Sequence, residues 1–228
     1  MTTALVTGAS RGIGLEVARQ LARDGAQVLL GVRDPGSAPA VAGARHERLD
    51  VADPASIAAC AGRLRAAGVV LDLLVNNAGV YDAPAAAIWA TNLRGPILLV
   101  RACAPLLAPR ARVVNVSSGL GALASQARAL VDRLRDPALT IDGLLALGDQ
   151  QPGGYGASKA AINAFTHLLV AGGALATSID PGWVQTDMGG PGAPRSLAQG
   201  AGSVLWACRL AEGAPNGGFW RDGQPLAW

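Results

Sequence analysis

Short apolar runs alternate along this chain with longer stretches whose apolar residues recur at helical spacing. The runs Ala4 to Thr7, Gln27 to Val32, Arg48 to Val51, Leu71 to Val75, Val113 to Ser117 and Ala174 to Ile179 read as strands buried in a parallel sheet. Between them, Leu15, Ala18, Leu21 and Ala22 share one helix face, and Ile57, Ala61, Leu64 and Arg65 begin a second stripe after Pro54. This alternation predicts an α/β fold. Its form is a doubly wound parallel sheet with helices on both faces and right-handed crossovers, in a single domain spanning 1–228.

One segment exceeds the minimal alternation. Within 119–150, ahead of Tyr155, Leu123, Ala127, Leu130 and Leu134 line one face while Arg128, Asp132, Arg135 and Asp136 take the other. The pattern predicts an inserted amphipathic helix, followed after Pro137 by a second short one around Leu144 and Leu145. The pair serves either as packed surface or as a pocket wall.

Half of the 228 residues are apolar, enough for one sizeable core. Charged residues are only 15 % and the net charge is +3, with basic residues scattered from Arg11 to Arg221. No run or stripe of positive charge offers itself to a nucleic acid. Cys60, Cys103 and Cys208 lie far apart without a CxxC or Cys/His spacing, and read as core residues of a reducing cytosol. His46 and His167 lack a second ligand at a useful interval, so no metal is expected. Met1 to Thr7 shows no secretory pattern, and Asp72, Arg101, Arg110 and Arg112 interrupt the most hydrophobic central runs. The expectation is a cytoplasmic protein that neither spans nor binds a membrane.

The segment TGASRGIG, Thr7 to Gly14, follows the first strand and opens the first helix. Glycines 8, 12 and 14 let the backbone turn sharply and approach a pyrophosphate, while the helix N-terminus offers free N–H groups to its charge. Which nucleotide binds is read at the end of the second strand, Gly31-Val32-Arg33-Asp34. Arg33 stands where a 2′-phosphate is accommodated, and Arg11 can supply a second charge-assisted contact, which favours NADP(H). Asp34 keeps an NAD reading open, since a carboxylate there can bond a ribose 2′-hydroxyl.

Tyr155-Gly156-Ala157-Ser158-Lys159 begins an apolar-periodic helix, which puts the phenol and the ammonium one turn apart on one side. A free tyrosine titrates near pH ~10, and a neighbouring cation lowers that by stabilising the phenolate. Lys159 is the only lysine among 19 basic residues. A compact ammonium can bridge two ribose hydroxyls beside a phenol, where the planar fork of arginine is bulkier and directionally fixed.

These residues resemble the short-chain dehydrogenase/reductase family over essentially the whole chain, which implies a Rossmann-type sheet. TGASRGIG is similar to its cofactor loop, with Gly8, Ser10, Arg11, Gly12, Ile13 and Gly14 as contacts. Asn76-Asn77-Ala78-Gly79 resembles its NNAG element, of which Asn77, Ala78 and Gly79 would meet the cofactor. Asp50, with Val51 beside it, matches the adenine-contacting position, and Asn92 the helix asparagine that organises a relay water. Tyr155 and Lys159 match its YxxxK. Pro181 to Gly190, with Pro181, Gly182, Val184 and Thr186, looks like the segment covering the nicotinamide. Of the strand-end serines, Ser118 matches the one that bonds the reacting oxygen, while Ser117 reads as a satisfied strand-end hydroxyl. The resemblance implies that hydride passes to a carbonyl carbon of a small molecule while Tyr155 protonates its oxygen, and that Lys159 holds the ribose and lowers the Tyr155 pKa.

Within the family, the long Ser118–Tyr155 gap and the closing Gly218-Phe219-Trp220 to Trp228 are similar to monomeric carbonyl reductases, so a monomer is expected. The stretches Asn77 to Asn92 and Lys159 to Pro181 are shorter than is usual there, the latter broken by Gly172-Gly173. Trp89, Trp183 and Met188 are candidate pocket residues. The same catalytic groups also suit a secondary-alcohol dehydrogenase, and the glycine loop alone a non-catalytic NADP-binding sensor. The intact quartet Asn92, Ser118, Tyr155 and Lys159 argues against the sensor.

Overall fold

In a computed structural model, which describes residues 2–211 and 213–228, the alternation becomes an eight-stranded sheet of order β3-β2-β1-β4-β5-β6-β7-β8. The strands are β1 (Thr3–Thr7), β2 (Gln27–Val32), β3 (Ala44–Arg48), β4 (Leu71–Asn76), β5 (Leu107–Val116), β6 (Leu175–Ile179), β7 (Phe219–Arg221) and β8 (Gln224–Leu226). All neighbours are parallel except β7 and β8, which form a hairpin. Strand order reverses between β1 and β4, the switch point at which such sheets bind ligands.

Side-chain alternation divides the strands between two cores. Leu5, Leu29, Leu74 and Val113 join one, with helices α2 (Pro54–Ala66), α4 (Gly95–Cys103) and α7 (Tyr155–Ala171). Ala4, Val6, Val28, Leu30, Val75 and Val114 join the other, with α1 (Gly12–Arg23) and α8 (Leu197–Cys208). Capping accounts for the helix starts. Asp53 accepts from the Ala55 N–H ahead of Pro54, and Ser196 with Gln199 completes a capping box before α8. Between α3 (Ala85–Trp89) and α4 the chain makes a π-helical turn, Ala90–Arg94, which carries Asn92.

Three local expectations are corrected. The third strand is Ala44–Arg48 rather than Arg48 to Val51. The Leu49 N–H still bonds the Val32 carbonyl, but Asp50 then folds back to accept from the Ala52 N–H, so Asp50 and Val51 sit in the turn. Arg65 in α2 is exposed, and Cys60 takes its place in the buried stripe. The helix expected through Leu123, Ala127, Leu130 and Leu134 is divided into a 3-10 turn, Leu123–Ser125, and α5 (Arg128–Leu134). Ala127 has extended backbone and is exposed, while Leu123, Leu130 and Leu134 are buried. Next comes α6 (Ile141–Asp149), which buries Leu144 and Leu147 against the same core.

Candidate active site

At the carboxyl end of β1 the glycine loop turns through left-handed backbone at Gly8 (φ 65°) and Gly12 (φ 57°), which only glycine enters without strain. A methyl group at Gly14 would overlap the Asn77 amide nitrogen and lie 2.6 Å from the Gly8 carbonyl oxygen. Glycine here is therefore a packing requirement. Asn77 donates to the Thr7 carbonyl at 2.9 Å, and the Thr7 hydroxyl accepts from the Asn77 and Ala78 N–H groups, each at 3.0 Å. These bonds tie the turn after β4 to the glycine loop. Arg11 caps α1 without any side-chain bond to the first-turn N–H groups, and no acidic residue lies in that turn. Such a helix end, floored by glycine, fits the phosphates of a dinucleotide.

Beside this cradle, the π-helical turn, α7 and the end of β5 converge. Asn92 is buried, accepts from the Val80 N–H at 2.9 Å, and donates to the Val80 carbonyl at 2.9 Å and to the Ser158 hydroxyl at 3.1 Å. Both amide hydrogens are thus used, which leaves one acceptor place on Oδ1 for a water. Ser158 in turn donates to the Tyr155 carbonyl at 2.7 Å, so Asn92 is linked to the first turn of α7. Lys159 is 4 % exposed, donates to the Val116 carbonyl at 2.8 Å, and has its ammonium 5.5 Å from the Tyr155 ring centroid. A methyl at Gly79 would lie 3.3 Å from Asn92 Oδ1 and 3.6 Å from Lys159 Nζ. Ser118, at the N-cap of a 3-10 turn, lies near enough to the Tyr155 phenol to act on its pKa, whereas Ser117 is buried and donates to the Lys159 carbonyl at 3.1 Å.

Burial dominates the electrostatics of this pair. Burial pushes the Tyr155 phenol up to about 12, Ser118 opposes the rise, and the charges of Asp180 and Tyr81 add to it. Burial brings the Lys159 ammonium down to about 8, against the pull of Asp180. The ammonium is turned to a backbone carbonyl, and loss of hydration dominates at both groups.

A family model for the short-chain dehydrogenases matches residues 2–130. The chain belongs to the short-chain dehydrogenase family. It is 32 % identical to Carbonyl reductase [NADPH] 1 of Sus scrofa over 271 aligned positions, covering 99 % of this chain and 93 % of the relative. Those positions outnumber the 228 residues here, so the alignment is gapped on this chain's side. An NADPH-bound carbonyl reductase from chicken fatty liver is 29 % identical, with a TM-score of 0.76 over 100 % of this chain and 99 % of that one. Salutaridine reductase from Papaver somniferum shares the fold at a TM-score of 0.85, with 24 % identity over 96 % of this chain and 99 % of that one.

In this short-chain dehydrogenase the remaining expected residues lie mostly just past the carboxyl ends of the strands, with exceptions in what they contact. Ser10 and Ile13 lie on the glycine loop, and Asp50 and Val51 in the turn after β3. Arg33 is exposed just past β2. The Asp34 carboxylate accepts from the Gly36 N–H at 3.0 Å, which with the Ser37 contact holds its pKa below the usual range. Arg11 is the first exception, since its guanidinium pairs with Asp187 at 2.9 Å. Pro181, Gly182, Val184 and Thr186 form the segment facing the loop, and a methyl at Gly12 would lie 3.6 Å from the Thr186 methyl. Trp89 is the second exception. It is 2 % exposed and donates to the Gly153 carbonyl at 2.8 Å, which makes it a core residue, while Trp183 and Met188 are exposed.

Sequence reasoning missed Thr7 as a tie, Ser158 as the link to Asn92, and Tyr81, whose ring meets Tyr155 edge-on at 4.9 Å. It also missed Asp180 and Arg221, which pair directly behind Gly119. Thr7 and Ser158 lie inside the quoted motifs, so the signal was present. Tyr81 and Arg221 have no local signature.

Proposed function

We propose that this chain reduces a ketone or aldehyde to the alcohol, with NADPH as reductant and Tyr155 as proton donor. The observation carrying this reading is the buried Lys159 ammonium 5.5 Å from the Tyr155 ring centroid, with Ser118 acting on the phenol and the glycine cradle adjacent. Bound NADPH supplies the hydride. Ser118 donates a hydrogen bond to the carbonyl oxygen as negative charge develops there, and Tyr155 gives that oxygen its O–H proton. The carbonyl carbon gains hydride and the oxygen a proton, which balances the alcohol. Lys159 keeps positive charge beside the phenolate left behind, and Asn92 holds Val80 and the first turn of α7 in register.

A phenol pushed up to about 12 is protonated at physiological pH, the state a donor needs. For the cofactor, Arg33 is exposed where a 2′-phosphate is accommodated, and Asp34 is engaged with its own turn. Gly8, Gly12, Gly14, Asn77, Ala78 and Gly79 would hold the pyrophosphate and ribose side, with Lys159 reaching the ribose hydroxyls. The relatives named for NADPH support the same choice. The chain acts as a monomer in this reading, since α5 and α6 pack Leu130, Leu134, Leu144 and Leu147 into the core that contains α7.

The test is Tyr155→Phe, assayed by loss of NADPH absorbance with a panel of aromatic, aliphatic and polycyclic ketones. Turnover falls by a factor on the order of 10² or more while NADPH still binds. Undiminished reduction by this variant overturns the proposed acid.

A further inference from the structure

The segment 180–195, which follows β6 and faces the glycine loop, is gripped at both ends by two consecutive residues, Arg221 at the end of β7 and Asp222 in the β7–β8 turn. At one end Asp180 is 1 % exposed, and its Oδ2 accepts from Arg221 Nε at 2.9 Å and also from Arg221 Nη2. Its Oδ1 accepts from the Gly182 N–H at 2.7 Å, so the same carboxylate shapes the start of the segment. At the other end Arg195 makes a fork to Asp222, at 2.7 and 2.8 Å, and donates to the Gln199 carbonyl at 3.0 Å. The Arg195 stem also packs on Gly182, where a methyl group would overlap Arg195 Cδ. Ser203 joins the two ends by donating to the Asp180 carbonyl at 3.1 Å and accepting from the Asp222 N–H at 2.9 Å.

A tight hairpin alone does not call for these pairs. Asp222 (φ 51°) and Gly223 (φ 77°) make the two-residue turn that Asp-Gly favours. Its carboxylate is free to point anywhere, and it points back across 27 residues to Arg195. A methyl at Gly119, beside Ser118, would lie 3.0 Å from Asp180 Oδ2 and 3.1 Å from Arg221 Nη2, so the clasp also backs the catalytic serine. We infer that Arg221 and Asp222 act as a two-ended clasp that positions segment 180–195 over the bound cofactor. They are positioning residues for NADPH affinity, and the inference rests on the reductase reading above.

The experiment measures the NADPH Kd by fluorescence for the wild type, Asp222→Asn, Arg195→Gln and the double variant, alongside Tm, KM and kcat. Asparagine keeps the left-handed turn, so the hairpin survives while the charge is lost. Each single variant raises Kd and the NADPH KM roughly three- to fivefold, with a smaller change in kcat. The double variant is no worse than Arg195→Gln alone, because the Asp222 carboxylate acts only through Arg195. For the other end, Asp180→Asn with Arg221→Gln removes both charges together and leaves neither buried alone, and Kd rises here too. Folded variants with wild-type Kd and a lowered Tm overturn the inference, and if the Asp180 double does not fold, Asp222→Asn decides. A wild type that binds NADPH but reduces no ketone defeats the reductase reading alone. If the wild type binds no NADPH, unchanged hydrogen exchange at 182–190 in Asp222→Asn overturns the clasp, and faster exchange there supports it.

Discussion

On one side of the groove, Thr7 and Asn77 tie the glycine loop to the turn after β4 through neutral hydrogen bonds at 2.9 and 3.0 Å. On the other, segment 180–195 is tied to the β7–β8 turn by Asp180–Arg221 and Arg195–Asp222 ion pairs, with side chains from 1 % to 48 % exposed. The first side is made of motif residues close to the sheet's switch point. The second depends on Arg195, Arg221 and Asp222, which lie outside those motifs. Neutral bonds of this kind are insensitive to salt, whereas the partly exposed pair Arg195–Asp222 weakens as ionic strength rises. A rigid floor facing an electrostatically fastened cover suits a cofactor that must enter and leave each cycle.

The largest effect expected falls between the two sides, at Lys159. Lys159→Met keeps the stem and removes the charge, and kcat/KM for ketone reduction drops by a factor on the order of 10² to 10⁴. A drop under tenfold, measured by steady-state kinetics, would detach the ammonium from the chemistry. In the unmodified chain the same charge sets the pH profile. Burial depresses the Lys159 pKa to about 8, so the ammonium is present below that pH and is lost as pH rises through it. Reduction therefore declines through about 8, and Tyr155, held up to about 12, adds no second loss near its ordinary value. A profile flat to pH 10 contradicts the assignment.

Next in size is Gly14→Ala, which attacks the rigid floor. The added methyl overlaps the Asn77 amide, so either Asn77 leaves Thr7 or the loop shifts. A loss of roughly 1–3 kcal/mol in stability is expected by denaturant melts, together with weakened NADPH binding. An unaltered melt and Kd would mean that the floor yields as readily as the cover.

Legibility in the sequence follows the same division. The strands that carry apolar residues on both faces, β1, β2 and β4, were readable, because burial on both sides leaves only one interpretation. The edge strand β3 was displaced because its residues, Ala44 to Arg48, are mostly polar and half its surface meets solvent. Of the site, Asn92, Ser118, Tyr155 and Lys159 do meet, since each sits in a motif whose local backbone places it. Asp180 and Arg221 could not be read, because their contact is made only after β6 and β7 pair, nor could Tyr81, which meets Tyr155 only once the turn after β4 packs against α7. The weight of burial at Lys159 and Tyr155 was not legible for a related reason. Spacing shows that two groups are near, but desolvation is a property of everything packed around them.

On the rim, Arg33→Ala tests the cofactor preference. Losing a charge-assisted contact to a 2′-phosphate raises the KM for NADPH by roughly tenfold and leaves that for NADH within about twofold. Equal effects on both cofactors would make Arg33 a bystander.

The smallest effect is expected at Arg11, the point where floor and cover meet. Its guanidinium pairs with Asp187 at 2.9 Å, but the two side chains are 72 % and 73 % exposed. Such a pair is worth ~0–1 kcal/mol and is screened by salt. Arg11→Ala therefore shifts the denaturation midpoint hardly at all. Two outcomes remain for the cofactor. If the pair persists when NADPH binds, Kd changes by less than about twofold and Asp187→Ala matches it. If Arg11 instead swings to the 2′-phosphate, Arg11→Ala weakens NADPH binding and Asp187→Ala strengthens it, because the competing carboxylate is gone. The pairing seen here predicts the first, and opposite signs for the two variants would show that the cover gives up this contact to the ligand.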